Sequence, residues 1–283
     1  MKAAPFAYAR PAAVSDAVAE LAAADGGAKV LAGGQSLVPV MAMRLARPEV
    51  LVDITGIDEL SSVDREGSAV EIGAAVRQRR IERDPIAGSV PLLGMALPWV
   101  GHRELRSRGT VCGSLAHADP AAELPAVACC LDAGIGLHGP GGRREVPARE
   151  FFTGAMTTQL RPDEVLTSLR LPVADGEGFG FAEIARRHGD FALAGVAARV
   201  GERAVLTAFG VSDRPVTRDV TAELDACASA SDVERALREP MAALAGEVVD
   251  TDGDAHGSRG YRRRLLAVLA SRELARAHDR AQR

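Results

Sequence analysis

Two short glycine-bearing segments constrain this chain more than anything else in it: Ala32-Gly33-Gly34-Gln35-Ser36 and, further along, Gly109-Thr110-Val111-Cys112-Gly113-Ser114. Each offers consecutive backbone N–H groups with little side-chain bulk around them. Glycine permits positive φ and close approach, so such a loop can curl its amides around a phosphate oxygen. Two of them suit a ligand with two phosphates, or one held at both ends, and dinucleotides fit that description. Neither matches Gly-x-x-x-x-Gly-Lys-Ser/Thr, nor Gly-x-Gly-x-x-Gly between a strand and a helix. A plain tight turn is the competing reading of a Gly-Gly pair. The second segment runs into Leu115-Ala116-His117-Ala118-Asp119-Pro120. There Asp119 as N-cap and Pro120 at the first helical position predict a helix whose positive end lies close to the loop.

Periodicity predicts an α+β chain in three regions. Up to about residue 55, Ser15 caps a helix through Val18 and Leu21, and Lys29 to Ala32 form a strand into the first glycine loop. Val50 to Asp53 reads as a buried strand, so the loop sits at the carboxyl end of a strand in a small α/β unit. From 56 to 173, strands at 69–73, 135–138, 143–146 and 165–171 mix with short helices. The stretch Pro172 to Gly180 is the best domain boundary. Beyond it, 179–185, 192–200 and 203–209 predict a three-stranded antiparallel sheet with helices on one side. Ser231 with Glu234 reads as a capping box, and a last helix runs from Tyr261.

Composition narrows the function. With 283 residues, 47% of them hydrophobic, the chain can bury a real core in one large domain or two. A net charge of −4 and only 4% aromatic residues speak against nucleic acid. No apolar run approaches the ~20 residues of a membrane helix, and the start has no apolar signal-peptide core, which predicts a cytoplasmic protein. The four cysteines (Cys112, Cys129, Cys130 and Cys227) form no Cys-x-x-Cys pair and cannot hold an iron–sulfur cluster in a usual pattern. Cys129 and Cys130 read as buried thiols. The histidines are isolated, so no metal site is expected.

The two glycine segments, together with the residues after each, resemble a known family. Ala32-Gly33-Gly34-Gln35-Ser36-Leu37 and Arg108-Gly109-Thr110 through Asp119-Pro120-Ala121 to Leu124-Pro125 look like the FAD-binding medium subunit of molybdenum hydroxylases. Leu160-Arg161-Pro162-Asp163-Glu164-Val165, Arg186-Arg187-His188-Gly189-Asp190-Phe191-Ala192 and Gly260-Tyr261-Arg262-Arg263 agree, in the right order along the whole chain. The resemblance implies an FAD-binding domain over 1–173, of the vanillyl-alcohol oxidase (PCMH-like) kind, with subdomains 1–55 and 56–173. A C-terminal domain over 178–283 completes the chain. The resemblance also implies FAD held by Ala32, Gly33, Gly34, Gln35 and Ser36 on one side, and by Thr110, Val111, Cys112, Gly113 and Ser114 on the other. Glu123 would accept hydrogen bonds from ribityl or ribose hydroxyls. His117 would brace the loop or face the flavin, with Leu160, Val165 and Phe191 beside the ring.

Partners are implied in the same way, namely an iron–sulfur small subunit, a molybdopterin large subunit and an external electron acceptor, with no catalytic residue in this chain. Two departures stand out. Most relatives have Gly-Gly where this chain has Cys112-Gly113, so the thiol either points away from the phosphate or alters the cofactor's seat. Gln35 replaces a histidine found in some members, which removes that route to covalent flavin. A free-standing flavin oxidoreductase, with His117, His188 or Asp190 at the flavin face, is the competing enzyme reading. A non-catalytic scaffold on the same fold is the third.

Overall fold

In the computed structural model, which describes residues 2–173 and 175–283, the chain begins with alternating strands and helices. They are β1 (Ala7–Ala9), α1 (Val14–Ala23), β2 (Ala28–Leu31), α2 (Leu37–Ala42) and β3 (Val50–Asp53). Both strand pairs are parallel, in the order β1-β3-β2. Val14, Ala17, Val18 and Leu21 recur at helical spacing and are the buried stripe of α1. Ser15 does not cap this helix. Ala13 is the N-cap residue, and the Val14 N–H donates instead to Glu59 Oε1 at 3.1 Å. A distant carboxylate thus satisfies the first amide of a helix that starts two residues before the place a Ser15 cap would set.

A second sheet comes next. It is antiparallel, in the order β4-β5-β10-β6-β7, from β4 (Val63–Glu66), β5 (Ala69–Gly73), β6 (Gly134–Gly139), β7 (Gly142–Pro147) and β10 (Val165–Pro172). The short pair β8 (Phe152–Gly154) and β9 (Thr157–Thr158) lies between β7 and β10 in sequence. Between the strands of this sheet in sequence come helices α3 (Gln78–Ile81), α4 (Pro91–Ala96), α5 (Arg103–Arg106), α6 (Val111–His117), α7 (Glu123–Cys130) and α8 (Ala148–Phe151), of which α6 and α8 lie against it. All eight residues of α7 are buried. A helix apolar all round belongs inside a protein, and α7 is wedged between this region and the C-terminal sheet.

That last sheet has four strands where the pattern predicts three. The order is β11 (Gly178–Ile184), β12 (Ala194–Val200), β13 (Ala204–Phe209) and β14 (Val216–Asp219), each antiparallel to the next. The added edge strand, Val216–Asp219, is too short and polar to announce itself. Nor do helices lie on one side only. Helix α12 (Arg259–Ala281) covers one face and α7 the other. Gly178 and Gly180 admit α12, because a Cβ at either would stand 1.8 and 2.3 Å from the Ala277 and Glu273 carbonyl oxygens. Helices α9 (Thr221–Cys227), α10 (Val233–Ala236) and α11 (Arg238–Val248) complete this layer, before a small strand pair, β15 (Gly253–Asp254) and β16 (Gly257–Ser258). Asp232, rather than Ser231, caps α10 by accepting from the Arg235 N–H. The main apolar core runs without a break from α1 through α7 to Phe179, Phe181 and Phe209. It therefore crosses the expected boundary at 172–180, where Ala174 lies outside the described residues.

Candidate cofactor site

The two glycine segments, distant in sequence, meet in space. A Cβ on Gly33 would stand 2.3 Å from the Arg108 carbonyl oxygen and 2.6 Å from Gly109 Cα. One on Gly113 would come within 3.9 Å of Ala32 Cβ. The first segment leaves the carboxyl end of β2, turns at Gly34 with φ of 72°, and enters α2 with Ser36 in the N-cap position. Gln35 folds back, its Nε2 donating to the Gly33 carbonyl at 3.2 Å. That amide therefore holds the loop's own shape. Ser36 Oγ makes no hydrogen bond among the described residues and is half-buried.

The second segment is not the open loop its glycines suggest. Val111–His117 is itself a helix, with Thr110 as N-cap and its hydroxyl accepting from the Gly113 N–H at 2.9 Å. Residues 109–111 are strapped to the stretch before them: Gln78 N donates to the Gly109 carbonyl, and Val111 N to the Val76 carbonyl. Val111 and Cys112 face the core, at 0% and 2% exposure. Gly113, Ser114 and His117 remain half-exposed. Two short helices thus start from one junction, and the partial positive charge of both N-termini gathers there.

The helix expected to begin at Pro120 begins later, at Glu123. Asp119 Oδ1 accepts from the Ala121 N–H at 2.9 Å, closing a side-chain turn in place of a helix cap. Ala118 just before it has a left-handed backbone, and the Pro120 carbonyl accepts from Gly210 N at 2.8 Å. Held at both ends, the extra turn delivers Glu123 to the first position of α7. Burial pushes the Glu123 carboxyl up to about 7, with Asp119 adding to the rise and its own backbone N–H and Arg106 opposing it.

The remaining expected site residues divide. Leu160 is half-buried against the core. Val165 is fully buried in β10 and has no face to offer a ligand; it is a core residue, as strand periodicity alone would allow. Phe191 is 69% exposed on the β11–β12 loop. That loop is braced: Asp190 accepts from Phe191 N and pairs with Arg186, and the His188 ring meets Trp99 edge to face at 5.6 Å. Cys112 turns its thiol into the core, 3.6 Å from the Ile72 carbonyl, and burial drives its pKa far up. The thiol points away from the junction, and no thiolate is available for covalent attachment. All four cysteines are free and buried. A native-state thiol assay should therefore read close to zero, rising to four per chain in denaturant. A fast-reacting thiol in the folded chain would contradict this placement.

One residue escaped the sequence reading. Glu183, in Gly178-Phe179-Gly180-Phe181-Ala182-Glu183-Ile184, is 3% exposed, and neither carboxylate oxygen has a partner among the described residues. Burial raises its pKa to about 9, and the Glu123 charge adds to the rise. A lone acid at an inward position of an apolar strand was the available signal. Among the described residues, no cluster of three metal-ligating side chains exists.

Residues 4–174 match the family described as the FAD binding domain in molybdopterin dehydrogenase. The chain belongs to that family. This FAD-binding oxidoreductase subunit is 34% identical to the carbon monoxide dehydrogenase medium chain of Afipia carboxidovorans, over 98% of each chain. It is 35% identical to the nicotine 6-hydroxylase medium subunit of Paenarthrobacter nicotinovorans, over 99% of its own length and all of that subunit. Among solved structures, one similar to the flavoprotein over all of both chains is quinoline 2-oxidoreductase from Pseudomonas putida 86. The TM-score is 0.92 at 33% identity. The geometry suits FAD on its own terms: the two helix N-termini converge at the glycine junction, and buried Glu123 stands at the end of the same segment.

Proposed function

We propose that the chain is the electron-transferring flavin subunit of a molybdopterin-dependent hydroxylase or dehydrogenase. It works in the cytoplasm beside an iron–sulfur small subunit and a molybdopterin large subunit. Bound FAD supplies the redox chemistry, taking electrons from the partner's cluster and passing them to an external acceptor. The observation that carries this reading is the junction where α2 and α6 begin together. Gly33, Gly34 and Ser36 on one side, with Gly113 and Ser114 on the other, would hold the pyrophosphate. Ala32, Gln35, Thr110, Val111 and Cys112 would shape the two walls through their main chain. Glu123 would accept a cofactor hydroxyl, His117 would brace the loop, and Leu160 and Phe191 would flank the ring.

The finer architecture belongs to the same proposal. Residues 1–173 would form a vanillyl-alcohol-oxidase-like FAD domain in two parts, 1–55 and 56–173, with 178–283 as the C-terminal domain. Four free cysteines fit a reducing compartment. The relatives' names point to unlike substrates, carbon monoxide and nicotine among them. The organic substrate is therefore set by a partner rather than by this chain. Among the described residues, none at the junction is arranged as a nucleophile with its base, which favours electron transfer over independent catalysis.

The test is reconstitution. FAD should restore flavin absorbance and FMN should not, because only the dinucleotide carries the pyrophosphate. The chain alone should turn over no organic substrate and should gain activity with its iron–sulfur and molybdopterin partners. Equal binding of FMN, or turnover by the chain alone, would overturn the proposal. In the latter case His117→Ala or Asp190→Ala should slow the reaction by ~10²–10⁴, the usual worth of a positioned acid or base.

A further inference from the structure

Charge is spread unevenly over this chain. Residues 77–84, 101–108 and 186–191 carry nine arginines against four acids, a net +5 in a chain whose total is −4. The rest of the molecule therefore stands at −9. These stretches are apart in sequence and joined in space. Buried Arg106 staples the first two together: its Nε donates to Glu82 Oε1 at 2.9 Å, and its Nη1 to the Val100 and Gly101 carbonyls at 2.9 and 3.1 Å. The third packs on the same turn, where a Cβ on Gly189 would stand 2.9 Å from the Gly101 carbonyl oxygen. Of the acids, Glu82 is engaged by Arg79 and Arg106, and Asp190 by Arg186 and Arg187. Arg77, Arg83, Arg103 and Arg108 are exposed and form no ion pair among the described residues. Like charges gathered this way repel one another and do nothing to hold the fold. The face borders the glycine junction, since Arg77 bridges to Thr110 and the Arg108 carbonyl lies against Gly33. Within the third stretch Phe191 presents its ring to solvent.

We propose that this basic face is where the external electron acceptor docks, and that the acceptor is a redox protein with an acidic surface. This rests on the function proposed above. A small anion would call for a pocket with convergent donors, whereas these arginines are spread over three surface segments. A nucleic acid would ask for a row of aromatic faces, and this surface exposes one phenyl ring. An exposed aromatic among charged residues is instead the make-up of a protein contact, with an apolar centre and a polar rim. Redox encounters are small and transient, and charge steers them more than it tightens them. The negative remainder of the chain repels an acidic partner everywhere else, so the same charges select where it lands. No covalent bond joins the two proteins in the step. Two one-electron acceptor molecules are each reduced as the flavin is reoxidised, and its protons pass to water.

The experiment uses the FAD-loaded chain assembled with its partner subunits, and the acidic haem protein cytochrome b5 as probe. Binding is read by biolayer interferometry, and electron transfer by haem reduction once the flavin has been reduced. Affinity should fall roughly tenfold between about 20 and about 200 mM salt, as exposed charges are screened. The triple variant Arg83→Glu/Arg103→Glu/Arg187→Glu should lower affinity and the bimolecular rate at low salt by about 10–100-fold. Its FAD content, melting midpoint and reoxidation by menadione, a small neutral acceptor, should match wild type. Arg235→Glu/Arg238→Glu/Arg264→Glu makes the same change in total charge on exposed arginines elsewhere and should leave cytochrome b5 binding near wild type. Equal losses in the two triples, or binding indifferent to salt, would overturn the proposal and leave FAD binding intact. Failure of the first triple to assemble would make the face a subunit contact and overturn it as well. Tighter binding of a single-stranded oligonucleotide than of cytochrome b5 at the same salt would overturn it in favour of nucleic acid. A folded chain that binds no FAD would instead bring down the function on which it rests.

Discussion

Gly33→Val should strip the chain of flavin and lower its melting temperature by several degrees. The reason is a collision inside the protein. A Cβ at this position meets the Arg108 carbonyl oxygen at 2.3 Å and Gly109 Cα at 2.6 Å. Those are backbone atoms, and they cannot swing aside. Arg108 N and Gly109 N both donate to the Leu105 carbonyl, and the Gly109 carbonyl accepts from Gln78 N. Overpacking typically costs about 1–3 kcal/mol, and a fixed backbone puts this site at the upper end. For a chain of this size each kcal/mol is worth about 2–4 °C. The damage to binding is larger, because the only relief is to part the two segments whose meeting forms the phosphate seat. A loss of about 3 kcal/mol there is roughly a hundredfold in affinity. Gly113→Ala is the informative comparison. Its Cβ would meet Thr110 Oγ1 at 2.7 Å, a side chain that can rotate away at the cost of its cap, about 1 kcal/mol. Flavin-to-protein ratio and a melting curve check both. Full flavin content and an unchanged midpoint in Gly33→Val would refute the junction.

That pair of substitutions shows what the sequence made legible and what it hid. Glycine at 33 reads from sequence as room for a pyrophosphate, whereas the structure assigns the room to the other glycine segment. Spacing along a chain carries no information about which loop a Cβ would strike. The strands were readable because alternation reports burial directly: 69–73, 165–171 and 203–209 lie within a residue or two of β5, β10 and β13. Helix starts were less so, since caps depend on partners far away. Val14 N is served by Glu59, and Asp119 is spent on a turn that Gly210 holds in place. Gly113 hid helix α6, because an internal glycine normally argues for a loop. Thr110 supplies the missing signal, an N-cap three residues before an amide it can reach. Val165 was assigned to the cofactor by resemblance and sits in the core. Glu183 drew no notice, because β11 is buried on both faces and no alternation marks the position as inward.

Arg262→Met is the other change expected to be severe, although Arg262 lies far along the chain from every glycine of the site. The residue is 6% exposed, and its guanidinium donates from Nη1 to the Leu193 carbonyl at 2.7 Å and to the Gly210 carbonyl at 2.8 Å. Its Nη2 pairs with Asp254 at 2.8 Å. A planar, always-charged fork can serve both carbonyls and the carboxylate at once, and a lysine cannot. Methionine would fill most of the volume and leave the Leu193 and Gly210 carbonyls unsatisfied. Asp254 is half-exposed and keeps its contact with water, so the cost lies in the two stranded carbonyls, about 1–3 kcal/mol each, which at this chain length is roughly 10 °C in melting temperature. The same loss should travel to the site. Gly210, released on its carbonyl side, is the residue whose N–H holds the Pro120 carbonyl, and that turn sets where Glu123 begins α7. FAD affinity should therefore fall in Arg262→Met at temperatures where the protein is still folded, with Arg262→Lys intermediate in both measures. A melting midpoint within about a degree of wild type would show that α12 does not secure this corner. Wild-type FAD affinity with a lowered midpoint would show that the corner stabilises the fold without positioning Glu123.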